Sequence, residues 1–419
     1  MNCNRLFSIG RNGALWILLL VFSPAIAQVF ETQKADSLYR AKSFIEAGKY
    51  YQKSGDLGWM KALKKNGYYN AACSFALAHD TEKAFENLNL LVSNGYANKA
   101  QLEADQDLAT LHTDARWPKL INAVKRRFGD SPHNAKFITA DLANFYRAFD
   151  LALKDSAKAK TIFRKEYFVK GSDGLQDFFV TKIRDEDQFV KTIFKYKDFY
   201  AKARHTVLQT TAIKGPVYKN AAVFEDLYPQ AVFPDVYFLI GKFNSNGTIS
   251  DNGLLIGTEQ MSKTPDTDTS NWNAWQREWI MDFSHIPVTV AHELVHFNQD
   301  GMKRENSLLC YAMIEGSAEF VAALITGETD GDYTAFKGRE QQIWQDFKNE
   351  RQQDLYSEWI QASDKRPRNA LYWAGYLISK AYYENASDKK QAIYDLLHIQ
   401  DYEAFYQKSQ VETFVKAIN

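Results

Sequence analysis

Apolar residues recur mostly every three or four positions along this chain, which predicts a protein built largely of amphipathic helices. The pattern begins near residue 35 and is interrupted by a polar segment, residues 126–134, that contains glycine and proline and indicates a domain boundary. Beyond it, helical patterns cover Asp141–Leu153, Gly174–Ile183 and Phe189–Leu208. We therefore expect an all-helical first domain followed by a larger second domain.

The period changes in the second domain. The apolar runs Val236–Gly241 and Gly253–Glu259 are typical of strands, and the polar cluster Asn244–Gly247 between them is typical of a turn. The sequence therefore predicts a strand pair and an α+β domain. An edge strand of such a pair can bind an extended peptide, although a purely structural hairpin accounts for the same pattern. The polar segment Ser262–Asn273 is expected to be a loop.

Two helices are predicted after this loop. Ile286-Pro287 suits the first turn of a helix, which should end near Asp300-Gly301. The next apolar pattern runs from Leu308 to Thr326 and is closed by Gly327.

The first of these helices contains His292-Glu293-Leu294-Val295-His296. Residues four apart lie on one face of a helix, so both imidazoles point the same way. Glu293 is placed where its carboxylate can reach a water on an ion held by the two histidines. This H-E-x-x-H pattern is typical of two zinc ligands with a general base between them. The competing interpretation is a buried helix with two satisfied histidines.

A catalytic zinc site usually has three protein ligands and a water. Glu315 and Glu319 are four residues apart on one face of the second, apolar helix. Burying both carboxylates is costly unless a positive group faces them, and a zinc ion with its histidines would be such a group. Residues 316–318 are small and allow the two helices to approach closely.

His296 and Glu315 are separated by eighteen residues. H-E-x-x-H followed by this spacing and Glu resembles the gluzincins, and the E-G-x-A-E-F form closely resembles a group of predicted bacterial zinc-dependent proteases. The resemblance implies one zinc ion per chain with His292, His296 and Glu315 as ligands. It also implies that Glu319 supports a ligand histidine, with His292 the expected partner.

Gluzincins usually stabilise the tetrahedral oxyanion with a downstream Tyr or His. The segment 368–376 resembles the Gly-Tyr-containing helix late in the predicted protease family and offers Tyr372 and Tyr376 on one face. Tyr376, which follows Gly375, fits that pattern slightly better, and Tyr372 is a close rival. Arg368 could assist. Ordinary helix packing is the alternative for both tyrosines.

Other residues with reactive side chains receive structural interpretations. Cys73 and Cys310 lie in apolar helical contexts and are expected to be core residues without a disulfide. His398 belongs to an amphipathic helical pattern. Glu259 could bind the amino terminus of a substrate, but no local motif supports this.

The first domain carries a repeat. Lys49 and Lys83, and likewise Tyr51 and Phe85, are 34 residues apart. This period, with small residues where paired helices cross, resembles the tetratricopeptide-like arrays found ahead of enzymatic domains in bacterial proteins. Such an array would bind a peptide or protein partner, or serve only as a packing spacer.

The charge balance and the N-terminal segment indicate which partners and which cellular location to expect. The 51 basic and 51 acidic residues balance, which gives no support for nucleic-acid binding. Arg5 and Arg11, the apolar run Ala14–Phe22 and the small residues Ala25 and Ala27 have the order of a secretory signal peptide, with an uncleaved anchor as the alternative. We expect an exported protein, periplasmic or extracellular, with no later segment that spans a membrane.

These inferences predict a signal peptide over residues 1–27, a tetratricopeptide-like domain over 28–130, and a gluzincin peptidase domain over 131–419. The peptidase domain should be α+β, thermolysin-like, with a small sheet and a helical C-terminal half. The expected function is zinc-dependent hydrolysis of peptide bonds, with Glu293 as general base. A repeat-based binding or scaffold protein with a structural or vestigial zinc, and a zinc amidase acting on a non-peptide amide, are the alternatives. The sequence leaves substrate, end or internal cleavage, and oligomeric state open.

Overall fold

The computed structural model describes residues 24–124, 128–299 and 301–417. Most of the predicted signal peptide, residues 1–27, therefore lies outside the described residues, and residues 24–27 form the start of the first helix. The described chain is 68% helical with a small mixed sheet, which fits the predicted α+β class.

The N-terminal helical unit consists of six helices, of which the first four pack against one another in chain order. They are α1 (Pro24–Arg40), α2 (Phe44–Leu57), α3 (Lys61–Leu77), α4 (Thr81–Ser93), α5 (Lys99–Ala104) and α6 (Trp117–Ala123). Asp80 caps α4 by accepting a hydrogen bond from the Lys83 amide. Cys73 is buried as a free thiol in the core of this unit, and Cys310 is likewise free and buried.

The second unit begins with strand β1 (Phe137–Ile138) and a layer of six helices. These are α7 (Ala140–Lys154), α8 (Ala159–Phe163), α9 (Asp173–Phe178), α10 (Glu186–Lys195), α11 (Lys197–Leu208) and α12 (Lys214–Leu227). The pattern predicted as one helix over Phe189–Leu208 is divided at Tyr196 into α10 and α11. This layer buries the aromatic side chains that form much of the core.

Three further strands complete the sheet: β2 (Val236–Leu239), β3 (Gly247–Ser250) and β4 (Gly253–Gly257). The order is β1-β2-β4-β3, with β3 antiparallel to β4 and the other pairs parallel. The two predicted strands are thus paired neighbours, but they run parallel, so the alternative of a hairpin formed by these two strands is wrong. The segment assigned to a turn leads instead into β3, which forms the hairpin with β4. Its residues are half-buried, so they give no apolar run in the sequence.

The C-terminal part is helical. It contains α13 (Ala274–Trp279), α14 (Ile286–Phe297), α15 (Leu308–Thr326), α16 (Glu340–Glu350), α17 (Tyr356–Ile360), α18 (Ala370–Asn385), α19 (Lys389–Leu397), α20 (Tyr402–Ser409) and α21 (Val411–Ala417). As predicted, α15 ends at Gly327, whose left-handed φ of 84° favours glycine. Helix α14 ends at Phe297, a turn earlier than predicted, with Asn298 as its cap.

Helix α15 is long and apolar enough to cross a membrane by length and composition, contrary to the expectation that no later segment would be. In its most apolar window, 72% of the residues are buried inside the protein. Burial in the core therefore accounts for the apolar character of α15.

The buried apolar residues form two clusters, one in the N-terminal helical unit and a larger one in the second unit. Met60 and Ala62, at the start of α3, belong to the larger cluster. The N-terminal unit is thus docked on the second unit through this corner, where the Ala62 amide donates to the side chain of Gln176 over 3.1 Å.

Candidate metal centre

Helix α14 is buried along almost its whole length, and Pro287 occupies its first turn, where the missing amide proton costs nothing. His292 and His296 lie one turn apart on the face toward α15, with ring centroids separated by 4.6 Å. The helical period predicted from the sequence therefore brings both imidazoles to one place.

Glu315 on α15 lies opposite these imidazoles. Its Oε2 atom is 3.0 Å from Nε2 of His296 and 3.8 Å from Nε2 of His292. The three candidate ligand atoms all lie within 4.8 Å of one another, in a largely buried group that could hold a metal ion. Three protein ligands would leave a position for water, which is the arrangement of catalytic rather than structural zinc sites.

The other ring nitrogen of each histidine faces an acceptor of its own. Nδ1 of His292 is 3.1 Å from Oε2 of Glu319, and Nδ1 of His296 is 2.8 Å from Oε1 of Gln299. These acceptors favour a proton on Nδ1 of each ring, which would leave each Nε2 free to bind a metal ion between the histidines and Glu315. The donor set and its supports therefore fit a divalent metal.

Glu319 is fully buried and held by three groups. Besides His292, its other oxygen accepts hydrogen bonds from the Gly331 amide at 2.7 Å and from the Tyr333 hydroxyl at 3.1 Å. Gln299 is fixed similarly, because its amide nitrogen donates to the Ile314 carbonyl and the Ser317 hydroxyl, both at 2.8 Å. The orientation of both imidazoles is thus set by residues outside the ligand set.

Charges in this group are strongly coupled. Burial raises the pKa of Glu315, but the adjacent His296 and His292 outweigh burial and hold the pKa of Glu315 well below its usual range. Burial likewise lowers the pKa of His292, but hydrogen bonds with Glu315 and Glu319 outweigh it and raise that pKa well above its ordinary value. The site therefore favours an ionised carboxylate facing positive charge, which a bound cation would also satisfy.

We call His292, His296 and Glu315 the metal group, and a cavity opens in front of it. Glu293 is buried and lines this cavity. Burial raises the pKa of its carboxyl, while His296 and His292 oppose that rise. Strand β3 lies against it: a Cβ atom on Gly247 would come within 2.5 Å of Oε1 of Glu293. The room for this carboxylate therefore depends on glycine at the start of β3.

The two candidate tyrosines occupy different places. The Tyr372 ring stacks on His292, with centroids 6.2 Å apart and planes at 19°, and its side chain lines the cavity. Tyr376 packs against Phe320 and Tyr333, at centroid distances of 5.6 and 6.4 Å, and does not line the cavity. The geometry thus favours Tyr372 over Tyr376. Burial and the charge of Glu315 raise the pKa of Tyr372 well above its ordinary value, so its hydroxyl stays a donor.

Helix α18 reaches the site because it packs on α15 with almost no space between the backbones. A Cβ atom on Gly316 would come within 2.2 Å of the Gly375 carbonyl carbon, and one on Gly375 within 1.8 Å of the Ala312 oxygen. The small residues predicted to admit α14 beside α15 therefore serve at least as much to admit α18.

Glu259 and His398 do not line the cavity. Glu259 is buried, and its Oε1 accepts a hydrogen bond from the Phe243 amide at 3.1 Å. His398 stacks on Tyr394 at 4.0 Å and caps the end of α19. These positions agree with structural roles for both residues.

The cavity has a volume of about 460 Å³ and is lined by residues of α14, α15, β3, α17 and α18. One lining residue that the sequence analysis missed is Asp330, in the loop after α15. It accepts hydrogen bonds from Thr289 at 2.6 Å and His285 at 3.0 Å. No motif marks Asp330, because its role depends on a loop folding back over the ends of two helices.

No known family model, no curated protein and no solved structure matches this chain.

Proposed function

We propose that this protein is a zinc-dependent peptidase of the gluzincin type. The observation that carries the proposal is the convergence of His292, His296 and Glu315 beside a buried Glu293 in a cleft bordered by a strand edge. Two imidazole nitrogens and one carboxylate oxygen form a common ligand set of catalytic zinc.

When bound, zinc would supply Lewis acidity, which lowers the pKa of water to about 7 and polarises a carbonyl group. Glu293 accepts a proton from the attacking water and returns it to the leaving nitrogen. The Tyr372 hydroxyl donates a hydrogen bond to the carbonyl oxygen as negative charge develops on it.

Strand β3 would hold the substrate. It is the last strand in the order β1-β2-β4-β3, so one side of its backbone is not paired with a strand among the described residues. Gly247, Thr248 and Ile249 line the cavity next to Glu293. An extended peptide that pairs with this edge would run across the front of the metal group.

The remaining predictions form part of the same proposal. The N-terminal helical unit is proposed to be a tetratricopeptide-like array that binds a protein partner or spaces the catalytic unit. The chain is proposed to be exported after removal of residues 1–27. A non-peptide amide as substrate is a separate outcome that the following experiment distinguishes.

The test compares wild-type protein with Glu293→Gln. We expect about one zinc per chain in both by metal analysis, and a loss of about 10²–10⁴-fold in cleavage of a proteome-derived peptide library by the variant. Glu328→Gln, which changes an exposed glutamate beyond α15, is the matched control. Cleavage by Glu293→Gln at the wild-type rate would contradict the assignment of the base. A zinc-loaded wild-type protein that cleaves no peptide would contradict the peptidase proposal and favour another amide.

A further inference from the structure

A second cavity, of about 420 Å³, opens directly beside the metal cleft. The two cavities share Asn246, Trp279, Tyr356, Asn369 and Tyr372 in their linings. A molecule bound in front of the metal group would therefore extend into the second cavity without leaving the surface. The side chain that distinguishes this second cavity is Arg368.

The guanidinium of Arg368 is held in place but incompletely satisfied. Its central carbon lies 3.9 Å above the Trp279 ring, which fixes its plane. The nearest acidic atom, Oε1 of Glu278, is 3.6 Å from Nη1, beyond hydrogen-bonding distance. Nη1 itself is buried and makes no hydrogen bond to any described residue. A charged donor that lacks a hydrogen-bond acceptor in a partly buried side chain is costly, and a ligand acceptor that meets the exposed part of the guanidinium, 32% of the side chain, reduces this cost.

The order of residues along the chain places a ligand of Arg368 near Tyr372. Asn369, with a left-handed φ of 60°, turns the backbone directly into α18, and Tyr372 stands in the first turn of that helix. Arg368 and Tyr372 thus belong to one wall of the joined cavities. A group bound by Arg368 would therefore lie in the second cavity, on the same wall as a carbonyl beside Tyr372.

We propose that Arg368 determines specificity by binding a substrate carboxylate in the second cavity, beside the cleaved bond. The planar fork of arginine matches the two oxygens of a carboxylate, which comes either from the peptide C-terminus or from an Asp or Glu side chain. Glu278, whose side chain is 60% exposed, can turn into solvent when the substrate carboxylate replaces it. This inference rests on the proposed peptidase function, because it places the carboxylate relative to a bound zinc and a scissile carbonyl.

The experiment uses ligands anchored on zinc, so that it does not depend on cleavage. One pair of probes is a dipeptide hydroxamate that ends in a free carboxylate and its carboxamide counterpart. A second pair is an amidated dipeptide hydroxamate that carries Asp or Asn. We expect wild-type, zinc-loaded protein to bind the carboxylate member of at least one pair about tenfold or more tightly by calorimetry. The pair that shows the preference identifies the source of the carboxylate.

Arg368→Gln should reduce that preference to less than about threefold and leave the affinity for the neutral probe nearly unchanged. Arg277→Gln is the matched control, because Arg277 is an exposed arginine on the same helix as Trp279. The Arg277 side chain donates a hydrogen bond to the Ser270 carbonyl and lines neither cavity. Arg368→Lys keeps the charge without the fork and should give an intermediate preference. Thermal unfolding of each variant verifies that it is folded.

Several results would overturn the assignment: no carboxylate preference in wild type, a preference that survives Arg368→Gln, or failure of all four hydroxamates to bind. The peptide-library assay, run in parallel, separates this inference from the proposed function. A preference that depends on Arg368, with no peptide cleaved, would refute the peptidase proposal and leave the carboxylate site standing. Cleavage without any such preference would refute the carboxylate site alone.

Discussion

At residue 247 the absence of a side chain makes room for the carboxylate of Glu293. The strand register sets this contact, since it pairs Gly247 with Ile256 of β4 and places Gly247 against Glu293 of α14. The sequence could not reveal it, because nothing near Gly247 marks a site. By contrast, the helical period predicted that His292 and His296 share one face of α14, and the resemblance to gluzincins predicted Glu315 as the third member of the candidate metal group.

Gly247→Ala should lower kcat/KM for peptide cleavage about tenfold or more, because the added Cβ would lie 2.5 Å from Oε1 of Glu293 and displace the base. Zinc content should stay at the wild-type level, since Gly247 touches no ligand. Gly215→Ala on α12, where nothing lies within 4 Å of an added Cβ, is the control and should keep full activity. Equal activity of the two variants would show that β3 does not constrain Glu293.

Glu259 gives a prediction for pH. Burial raises the pKa of Glu259 to about 7 in the folded protein. The protonated Glu259 carboxyl therefore stabilises the folded protein fully at pH values below its unfolded pKa, near 4.5. This stabilisation is lost as the pH rises to about 7, because the unfolded chain releases the proton at lower pH than the folded protein does. At about 1.4 kcal/mol per pKa unit, the free energy of unfolding should fall by about 3 kcal/mol over this range relative to Glu259→Gln.

Denaturant unfolding of wild type and Glu259→Gln at pH 4.5, 6 and 7.5 measures this difference. The Phe243 amide should still find an acceptor in the glutamine carbonyl. Glu328→Gln, an exposed change, should show no such pH-dependent difference. A flat difference between wild type and Glu259→Gln would mean that this carboxyl is hydrated in the folded protein.

At the scale of elements, the site depends most on two helices that the sequence predicts, α14 and α15, and on one strand and one helix whose positions it does not predict, β3 and α18. Helices α14 and α15 have strong apolar periods, so their existence and chemistry could be predicted. Strand β3 was missed because it is short and half-buried. The orientation of α18 could not be predicted, because the choice between its two tyrosines depends on which face meets α15.

The two tyrosines of α18 can be separated by a pair of variants. Tyr372→Phe should lower kcat by about 10²-fold or more, because it removes the donor to the developing oxyanion. Tyr376→Phe should change kcat less than about threefold, since Tyr376 packs on Phe320 and lies outside the cavity. Steady-state kinetics on one peptide measures both. The reverse order of effects would assign the oxyanion donor to Tyr376.

At the scale of the whole molecule, the N-terminal helical unit contacts the hairpin that borders the cleft. Lys65 of α3 pairs with Asp177 of α9 at 3.2 Å, with both side chains largely buried. The same Asp177 accepts a hydrogen bond from Asn252, in the turn between β3 and β4, at 2.7 Å. The polar segment at 126–134 predicts a two-part organisation, but the sequence does not predict this docking, because no local pattern shows which surfaces meet.

Asp177→Ala should lower the free energy of unfolding by about 2–4 kcal/mol, because it leaves the Lys65 ammonium without its partner in a largely buried place. It should also raise KM more than it lowers kcat, since it loosens the turn that leads from β3. Chemical denaturation and peptide kinetics measure the two effects. Asp187→Ala, which breaks an exposed pair with Lys160, is the control and should alter stability by less than about 1 kcal/mol. An unchanged KM in Asp177→Ala would show that the contact between the N-terminal unit and this turn does not affect substrate binding in the cleft.

The contact between Gly316 and Gly375 has a consequence for recognising this centre in other chains. Gly316 directly follows the candidate metal ligand Glu315, and Gly375 follows Tyr372 by three residues. The absence of side chains at these two glycines therefore sets the distance between Glu315 and the Tyr372 hydroxyl. A chain that keeps this geometry must keep both glycines. The pairs Glu-Gly and, later in the chain, Tyr-x-x-Gly therefore form one sequence signature, and neither pair alone identifies such a site.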